Sequence, residues 1–468
     1  MRTLLLSTYE LGHQPLGLAR PAADLLAAGH EVRCLDLAIE PLDPAFVAWA
    51  DLVGISVPMH TATRLGATTA AVVRRLNPSA HIAFYGLYAS LHADVLVPRL
   101  GDSAIGGEFE GPLLALADAL DSNGGRTDGQ PAIPGVRTAT TDGGVFLGRQ
   151  AFSLPRRDLL PGLERYAHVD FGTHQQQAGY VEASRGCAHR CLHCPITPVY
   201  GGRLRVVGQD VVLQDIEQLV QMGARHITFG DPDFFNGIRH SLRIVEELHA
   251  AFPDVTYDAT IKVEHVLEHR DHLPTLARTG CVFIVSAVEA LHDHVLAHLQ
   301  KGHTAADVDE ALRLTAAVGI PIRPTFMPFT PWLSLEAYQE LLAGVRSRGL
   351  VRHVDAVQYA IRMLVPRGSS LYGTASLAPY VGDFEAETFS YRWTHPDPRM
   401  DVLQQNVSAV VEAAAAEGED ATDTLAAIER LAQAAAGQVL VGGGGVLTEA
   451  VELPTAVFVP RLTEAWFC

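Results

Sequence analysis

The chain has 468 residues, enough for two to four domains, and its 48% hydrophobic and 19% charged residues describe a compact globular protein. A net charge of −18, from 35 basic and 53 acidic side chains, repels phosphate backbones and disfavours a nucleic-acid substrate. Apolar runs are too short for a signal peptide or a bilayer span, so no membrane partner is expected and the cytoplasm is the expected location.

Residues 2–7 read as a strand, 18–28 as a helix stopped by Gly29, and 31–37, 52–57 and 82–85 as further strands. This βαβ rhythm predicts a Rossmann-like parallel sheet over residues 1 to about 120. The loops Pro58-Met59-His60 and Gly86-Leu87-Tyr88 would open at the edge where such sheets bind ligands. From 121 to about 148 the composition turns to Gly, Thr, Asp and Pro, which predicts a linker, extending to about 175, with one hairpin near Thr141-Asp142-Gly143-Gly144.

A second series spans about 176 to 400, with strands expected at 180–183, 226–229, 256–259, 282–285, 322–326 and 356–359. Six βα units fit a partial (β/α)6 barrel, whose site would lie at the C-terminal ends of the strands. Residues 401–436 are Ala-rich and read as helical, opening a C-terminal extension over 401–468. Within it, Gly442 to Gly445 lacks the Lys-Ser/Thr partner of a phosphate loop and reads as a turn between short strands.

Chemistry concentrates in Ser184-Arg185-Gly186-Cys187-Ala188-His189-Arg190-Cys191-Leu192-His193-Cys194-Pro195. Cys187, Cys191 and Cys194 follow the first barrel strand with Cys-x3-Cys-x2-Cys spacing. Three thiolates can converge on one iron–sulfur cubane, leaving a fourth iron open. The alternative is a structural zinc site completed by His189 or His193. Spacing, barrel context and Pro195 favour the cluster.

These cysteines match the motif of the radical S-adenosylmethionine (SAM) superfamily. The first domain resembles the cobalamin-binding-like domain that precedes many of its barrels, through Leu16-Gly17-Leu18-Ala19, Ala28-Gly29-His30-Glu31-Val32 and Gly106-Gly107-Glu108-Phe109-Glu110. The resemblance implies a [4Fe–4S] cluster, SAM, a small-molecule substrate and an electron donor such as flavodoxin or ferredoxin. It also implies SAM contacts at Gly230, Asp231 or Asp233, where the superfamily carries a Gly-Gly-Glu-like motif, and at Glu289 and Arg323. Lys262 and Glu264 would face the same pocket. The substrate pocket would draw on His60, Tyr88, Phe234, Phe235, Trp332 and Tyr359, although aromatics at strand ends are mostly core.

A cobalamin-ligating histidine needs Asp-x-His-x-x-Gly, whereas the first loop reads Leu11-Gly12-His13-Gln14-Pro15-Leu16-Gly17. Without the acid nothing orients the imidazole. His13 is expected to be a loop residue, and the domain to be kept without cobalamin. Cys34 and Cys281 read as buried small hydrophobes.

Cys468 closes the sequence after Trp466-Phe467. Together with Ser7-Thr8-Tyr9-Glu10-Leu11-Gly12 and Pro58-Met59-His60-Thr61-Ala62-Thr63, it resembles radical SAM proteins with a CUAEP or CCAEP tail. The expectation is that the native gene continues through a selenocysteine codon. A thiol–selenol pair would bind a soft electrophile. The resulting functional expectation is SAM cleavage that modifies a small molecule, with transfer of the 3-amino-3-carboxypropyl group of SAM to arsenite as its sharpest form. The alternatives are a cobalamin-dependent methyltransferase and a non-catalytic iron–sulfur redox sensor.

Overall fold

The computed structural model describes residues 1–124, 132–437 and 458–464. Strands β1 (Arg2–Ser7), β2 (Glu31–Asp36), β3 (Leu52–Ser56), β4 (His81–Tyr85) and β5 (Ser103–Gly107) form a parallel sheet in the order β2-β1-β3-β4-β5. Their side chains alternate between two cores. Leu4, Leu6, Val53, Ile55, Ile82 and Phe84 fill one face, and Leu5, Leu52, Ala83, Tyr85 and Ile105 the other. Helices covering both faces explain why these strands are near-continuous apolar runs.

The expected hairpin is present and joins this sheet. Strand β6 (Val136–Thr138) pairs antiparallel with β5, Gly143 N donates to Val136 O at 2.9 Å, and β7 (Val145–Phe146) pairs with the end of β5.

The second sheet contains β8 (His168–Asp170), β9 (Gln175–Val181), β12 (His226–Phe229), β13 (Thr256–Thr260), β14 (Cys281–Glu289) and β15 (Ile322–Phe326). Between them, β10 (Ser184–Gly186) pairs with β11 (Leu204–Val206). A hairpin of β16 (Val381–Glu385) and β17 (Ser390–Trp393) follows, and β18 (Arg461–Leu462) adds to the outer edge of β8. The five parallel strands β9 and β12 to β15 make a half-barrel, so the chain is an α/β protein with a parallel-sheet domain ahead of a partial barrel.

The sixth expected barrel strand, 356–359, is instead the 3-10 turn Ala356–Tyr359. Gln358 Oε1 accepts from Phe326 N at 3.0 Å, so a side chain does the work of a ladder carbonyl. Tyr359 O accepts from the Tyr338 hydroxyl at 3.0 Å. The helical reading of 401–436 is met by Pro398–Glu417 and Ala421–Ala435, whose Met400, Leu403, Val407, Leu425 and Ile428 extend the barrel core. Among the described residues no helix is long and apolar enough to cross a membrane.

The domains are tied by buried ion pairs. Arg157, 1% exposed, makes two 2.9 Å bonds to Asp215 and reaches Tyr180 O at 2.6 Å and Gln14 Oε1 at 3.2 Å. Removing one partner of such a pair strands a charge in the interior. Asp215→Ala is expected to lower stability by about 3–5 kcal/mol, read from the urea midpoint. A loss below about 1 kcal/mol, the scale of a surface pair, would contradict this role.

Candidate functional site

Strand β9 runs directly into β10, and the three cysteines follow on the loop between β10 and the helix Ile196–Tyr200. Gly186 precedes Cys187 with φ +73°, and a Cβ there would lie 2.3 Å from Arg203 O, so only glycine lets the chain turn into the loop. Arg185, one residue earlier, is buried and binds Glu182 at 2.8 Å, Glu110 at 2.7 Å and Glu108 at 3.4 Å. Tyr200 at the far end donates to Glu108 at 2.9 Å. Both flanks of the cysteine loop are therefore anchored to the Gly-Gly-Glu corner of the first domain.

The loop itself is clamped from the barrel. Asn236 Nδ2 donates to Cys187 Sγ at 3.4 Å while its Oδ1 accepts from Ala188 N at 3.2 Å. Leu192 N donates to Leu299 O at 3.0 Å, and Thr197 Oγ1 to Cys191 O at 2.9 Å. Burial pushes the Cys187 thiol up and the Cys194 thiol to about 12, so cluster assembly must expel protons from both. Three soft sulfur donors on one clamped loop fit a cubane with one iron left unliganded by the loop.

Two polar clusters flank the thiols. In the first, Glu289 accepts from Lys301 Nζ at 3.3 Å and from His193 Nε2 at 3.2 Å. Burial opposes its charge, but Lys301 and then His193 outweigh that and hold Glu289 at about 2. Lys301 is 3% exposed and feels the Cys191 and Cys194 thiolates as well as Glu289. Glu289 has φ +68° at a register shift where β14 meets β15, a strained conformation of the kind found at functional sites. In the second cluster, His189 and His265 face Asp233 Oδ2, and Glu264 lies between Lys262 Nζ at 3.1 Å and His189 Nδ1 at 3.4 Å.

The structure places the other expected residues as follows. Gly230 passes under Tyr180, whose hydroxyl would be 2.0 Å from a Cβ. Asp231 turns its carboxylate back to Ala183 N and the Ser184 hydroxyl, tying β9 to β10. Asp233 Oδ1 caps the turn Phe234–Gly237 through Phe235 N at 3.1 Å. Arg323 pairs with Asp355 at 2.6 Å, and its buried Nη1 has no hydrogen-bond partner among the described residues. Cys468 and Gly442 to Gly445 lie outside the described residues.

Phe234, Phe235 and Tyr359 are core residues, and Trp332 donates to Ser376 O at 3.0 Å while stacking on His298. His60 is bonded to Thr388 O and Tyr88 packs beside His60 and His92. Cys34 and Cys281 are buried free thiols. Lys301, His265 and Asn236 escaped the sequence reading. The Lys301-Gly302-His303 run after a short helix was the available signal for the first.

A cavity of about 220 Å³ adjoins the cysteine loop. The first domain lines it with Glu10, His13, Gly17, Ser56, Met59 and Phe109, and the barrel with Tyr180, Glu182, Arg185, Tyr200 and Gly230. It lies where ligands of parallel sheets bind. His13 stacks on Tyr180 with ring centroids 4.7 Å apart, and burial lowers it to about 4, so it is a neutral ring packed on the barrel. His13 is the one imidazole among the described lining residues, and its ring is stacked on Tyr180.

Residues 181–342 match the family model described as the radical SAM superfamily. The chain is 25% identical over 332 residues to the hopanoid C-3 methylase of Methylococcus capsulatus, covering 68% of this chain and 62% of the methylase's length. Among solved structures, OxsB with aqua-cobalamin bound superposes with a TM-score of 0.69 at 15% identity, covering 88% of this chain and 67% of OxsB. The methyltransferase TsrM from Kitasatospora setae, with cobalamin and a [4Fe–4S] cluster bound, gives 0.59 at 19% identity, covering 74% of this chain and 73% of TsrM.

The chain thus contains a radical SAM domain, which indicates an enzyme and implies a [4Fe–4S] cluster and SAM. Both structural neighbours hold cobalamin, and at 15% and 19% identity their likeness to this chain is one of fold.

Burial raises Glu10, in the cavity wall, to about 8, with Asp36 and Glu182 adding to the effect. A carboxyl raised from an unfolded value of about 4.5 favours the folded state below that pH and loses this contribution as pH rises towards 8. The stability of wild type relative to Glu10→Gln is therefore expected to fall between pH 4.5 and 8 and level off above, by at most about 5 kcal/mol. Parallel stability–pH curves for the two proteins would refute the raised carboxyl.

Proposed function

We propose that this enzyme reductively cleaves SAM at a [4Fe–4S] cluster held by Cys187, Cys191 and Cys194, and modifies a small molecule bound between the barrel mouth and the first sheet. The observation that carries this reading is the placement of three thiols on one clamped loop beside an inter-domain cavity. When bound, the cluster and SAM supply one-electron cleavage of a carbon–sulfur bond and the radical chemistry that follows. A flavodoxin- or ferredoxin-like donor would provide the electron.

The protein's own residues set the conditions. Lys301 balances the thiolates of Cys191 and Cys194, and Glu289 with His193 holds it in place. The free Nη1 of Arg323 offers a donor to an anionic group within the barrel. Gly230, Lys262 and Glu264 are the remaining candidates for SAM at the strand ends. Asp231 is occupied by the loop it ties. Glu10, neutral at pH 7, can donate a hydrogen bond into the cavity, from which its burial excludes bulk water.

The finer form of the proposal is membership of the CUAEP/CCAEP-tail subgroup and aminocarboxypropyl transfer to arsenite, supported by the two N-terminal motifs at 7–12 and 58–63. A second reading, cobalamin-dependent methyl transfer, is favoured by the cobalamin-bound structural neighbours and the methylase relative.

Anaerobic incubation of cluster-loaded protein with SAM, reductant and arsenite tests all of these. Wild type is expected to cleave SAM, and Cys191→Ala to lose both cluster iron and cleavage; cleavage retained by Cys191→Ala would refute the cluster assignment. Methylthioadenosine together with an arsenic–carbon product supports the arsenite form. Stoichiometric cobalt with S-adenosylhomocysteine supports methyl transfer instead.

A further inference from the structure

His189, Asp233 and His265 form a second constellation that the cluster reading leaves unused. They come from three places in the chain: the loop between Cys187 and Cys191, the end of β12, and the helix Val263–Glu268 that follows β13. Asp233 is fully buried, and the two imidazoles are 15% and 12% exposed. Nε2 of His189 lies 3.3 Å and Nδ1 of His265 lies 2.7 Å from Asp233 Oδ2, and the three atoms all fall within 4.8 Å of one another.

Closeness alone would describe an ion-pair network. The decisive feature is that Asp233 Oδ2, His189 Nε2 and His265 Nδ1 are all buried and, among the described residues, find no partner outside the trio. Buried polar atoms that face only one another are costly to leave without well-aligned partners. Donor atoms bound about 2.1 Å from one ion stand roughly 3–3.5 Å apart around it. His189 Nε2 and Asp233 Oδ2, 3.3 Å apart, fall in that range, and His265 Nδ1, 2.7 Å from Asp233 Oδ2, stands slightly closer. Asp233 Oδ1 is spent on the cap at Phe235 N, which fixes the direction in which Oδ2 points.

Support for the ring orientation is also in place. Nδ1 of His189, the nitrogen away from Asp233, lies 3.4 Å from Glu264 Oε2, and Glu264 is itself held by Lys262 at 3.1 Å. A carboxylate behind a ligating imidazole selects its tautomer and raises its basicity.

We infer that His189 Nε2, Asp233 Oδ2 and His265 Nδ1 bind one divalent transition-metal ion, Zn²⁺ or Fe²⁺ by the chemistry of the donors, separate from the cysteine cluster. Two imidazoles and a carboxylate suit these borderline cations, and three protein ligands leave a position open for water or a substrate donor atom. Because His189 sits between two cluster cysteines and the Asp233 turn carries Asn236 onto Cys187, an ion here would also stiffen the cluster loop.

The test uses full-length protein with its cluster assembled, so that the thiols cannot take the added metal. The cluster iron of each sample is measured alongside, which separates failure of this site from failure of the cluster reading. Equilibrium dialysis against Zn²⁺ is expected to show one zinc per chain beyond the cluster metal. His189→Ala and His265→Ala should each weaken it at least tenfold while cluster iron is kept. Zinc-edge absorption of the wild type alone, which needs no variant to fold, should show a nitrogen/oxygen shell with imidazole scattering. No zinc uptake, unchanged uptake in His265→Ala, or sulfur in the zinc shell would each overturn the site.

Discussion

For Cys187, Cys191 and Cys194 to hold one cluster, as proposed, their short loop must be fixed so that all three sulfurs converge, and much of the surrounding structure fixes it. The backbone enters through Gly186, where no other residue has room, and is fixed at successive points by Asn236, Leu299 O and Thr197. Arg185 carries the requirement beyond the barrel. Its guanidinium is buried among Glu108, Glu110 and Glu182, two of which belong to the first domain. A buried cation without these partners would cost several kcal/mol, so the docking of the first domain and the order of the loop depend on each other.

The electrostatics around the thiols follow the same logic. Three thiolates concentrate negative charge in a site of low dielectric, and Lys301 is the buried cation that answers it. Lys301 in turn is held by Glu289, which stays charged in the interior only because Lys301 and His193 face it. Cluster potentials respond to local charge, hydrogen bonding and exposure, so this chain of pairs is a means of setting the potential at which an electron is accepted.

Much of this was legible in the sequence because it is local. The cysteine spacing, the parallel strands of the first domain and four of the barrel strands are written as contiguous runs, and the structure finds them within a few residues. What was missed is non-local. Residues 356–359 have the composition of a strand, but Gln358 satisfies Phe326 through its side chain and the backbone turns instead. His265 reaches the site from the helix that follows β13, and Lys301 from the segment just past the helix Asp293–Leu299, where only the Lys-Gly-His run marks it. Asp231 and Asp233 look alike in Gly-Asp-Pro-Asp, yet one turns back to β10 while the other turns towards two imidazoles. Only the three-dimensional path of that loop distinguishes them.

The central claim is that a cluster held by three cysteines presents an open iron to SAM. Electron paramagnetic resonance of the reduced, cluster-loaded protein, recorded with and without SAM, addresses it most directly. The account predicts a [4Fe–4S]⁺ signal whose g-values shift when SAM is added, with coupling to the SAM amino nitrogen. A spectrum indifferent to SAM, or one showing a fourth protein ligand on the cluster, would contradict it.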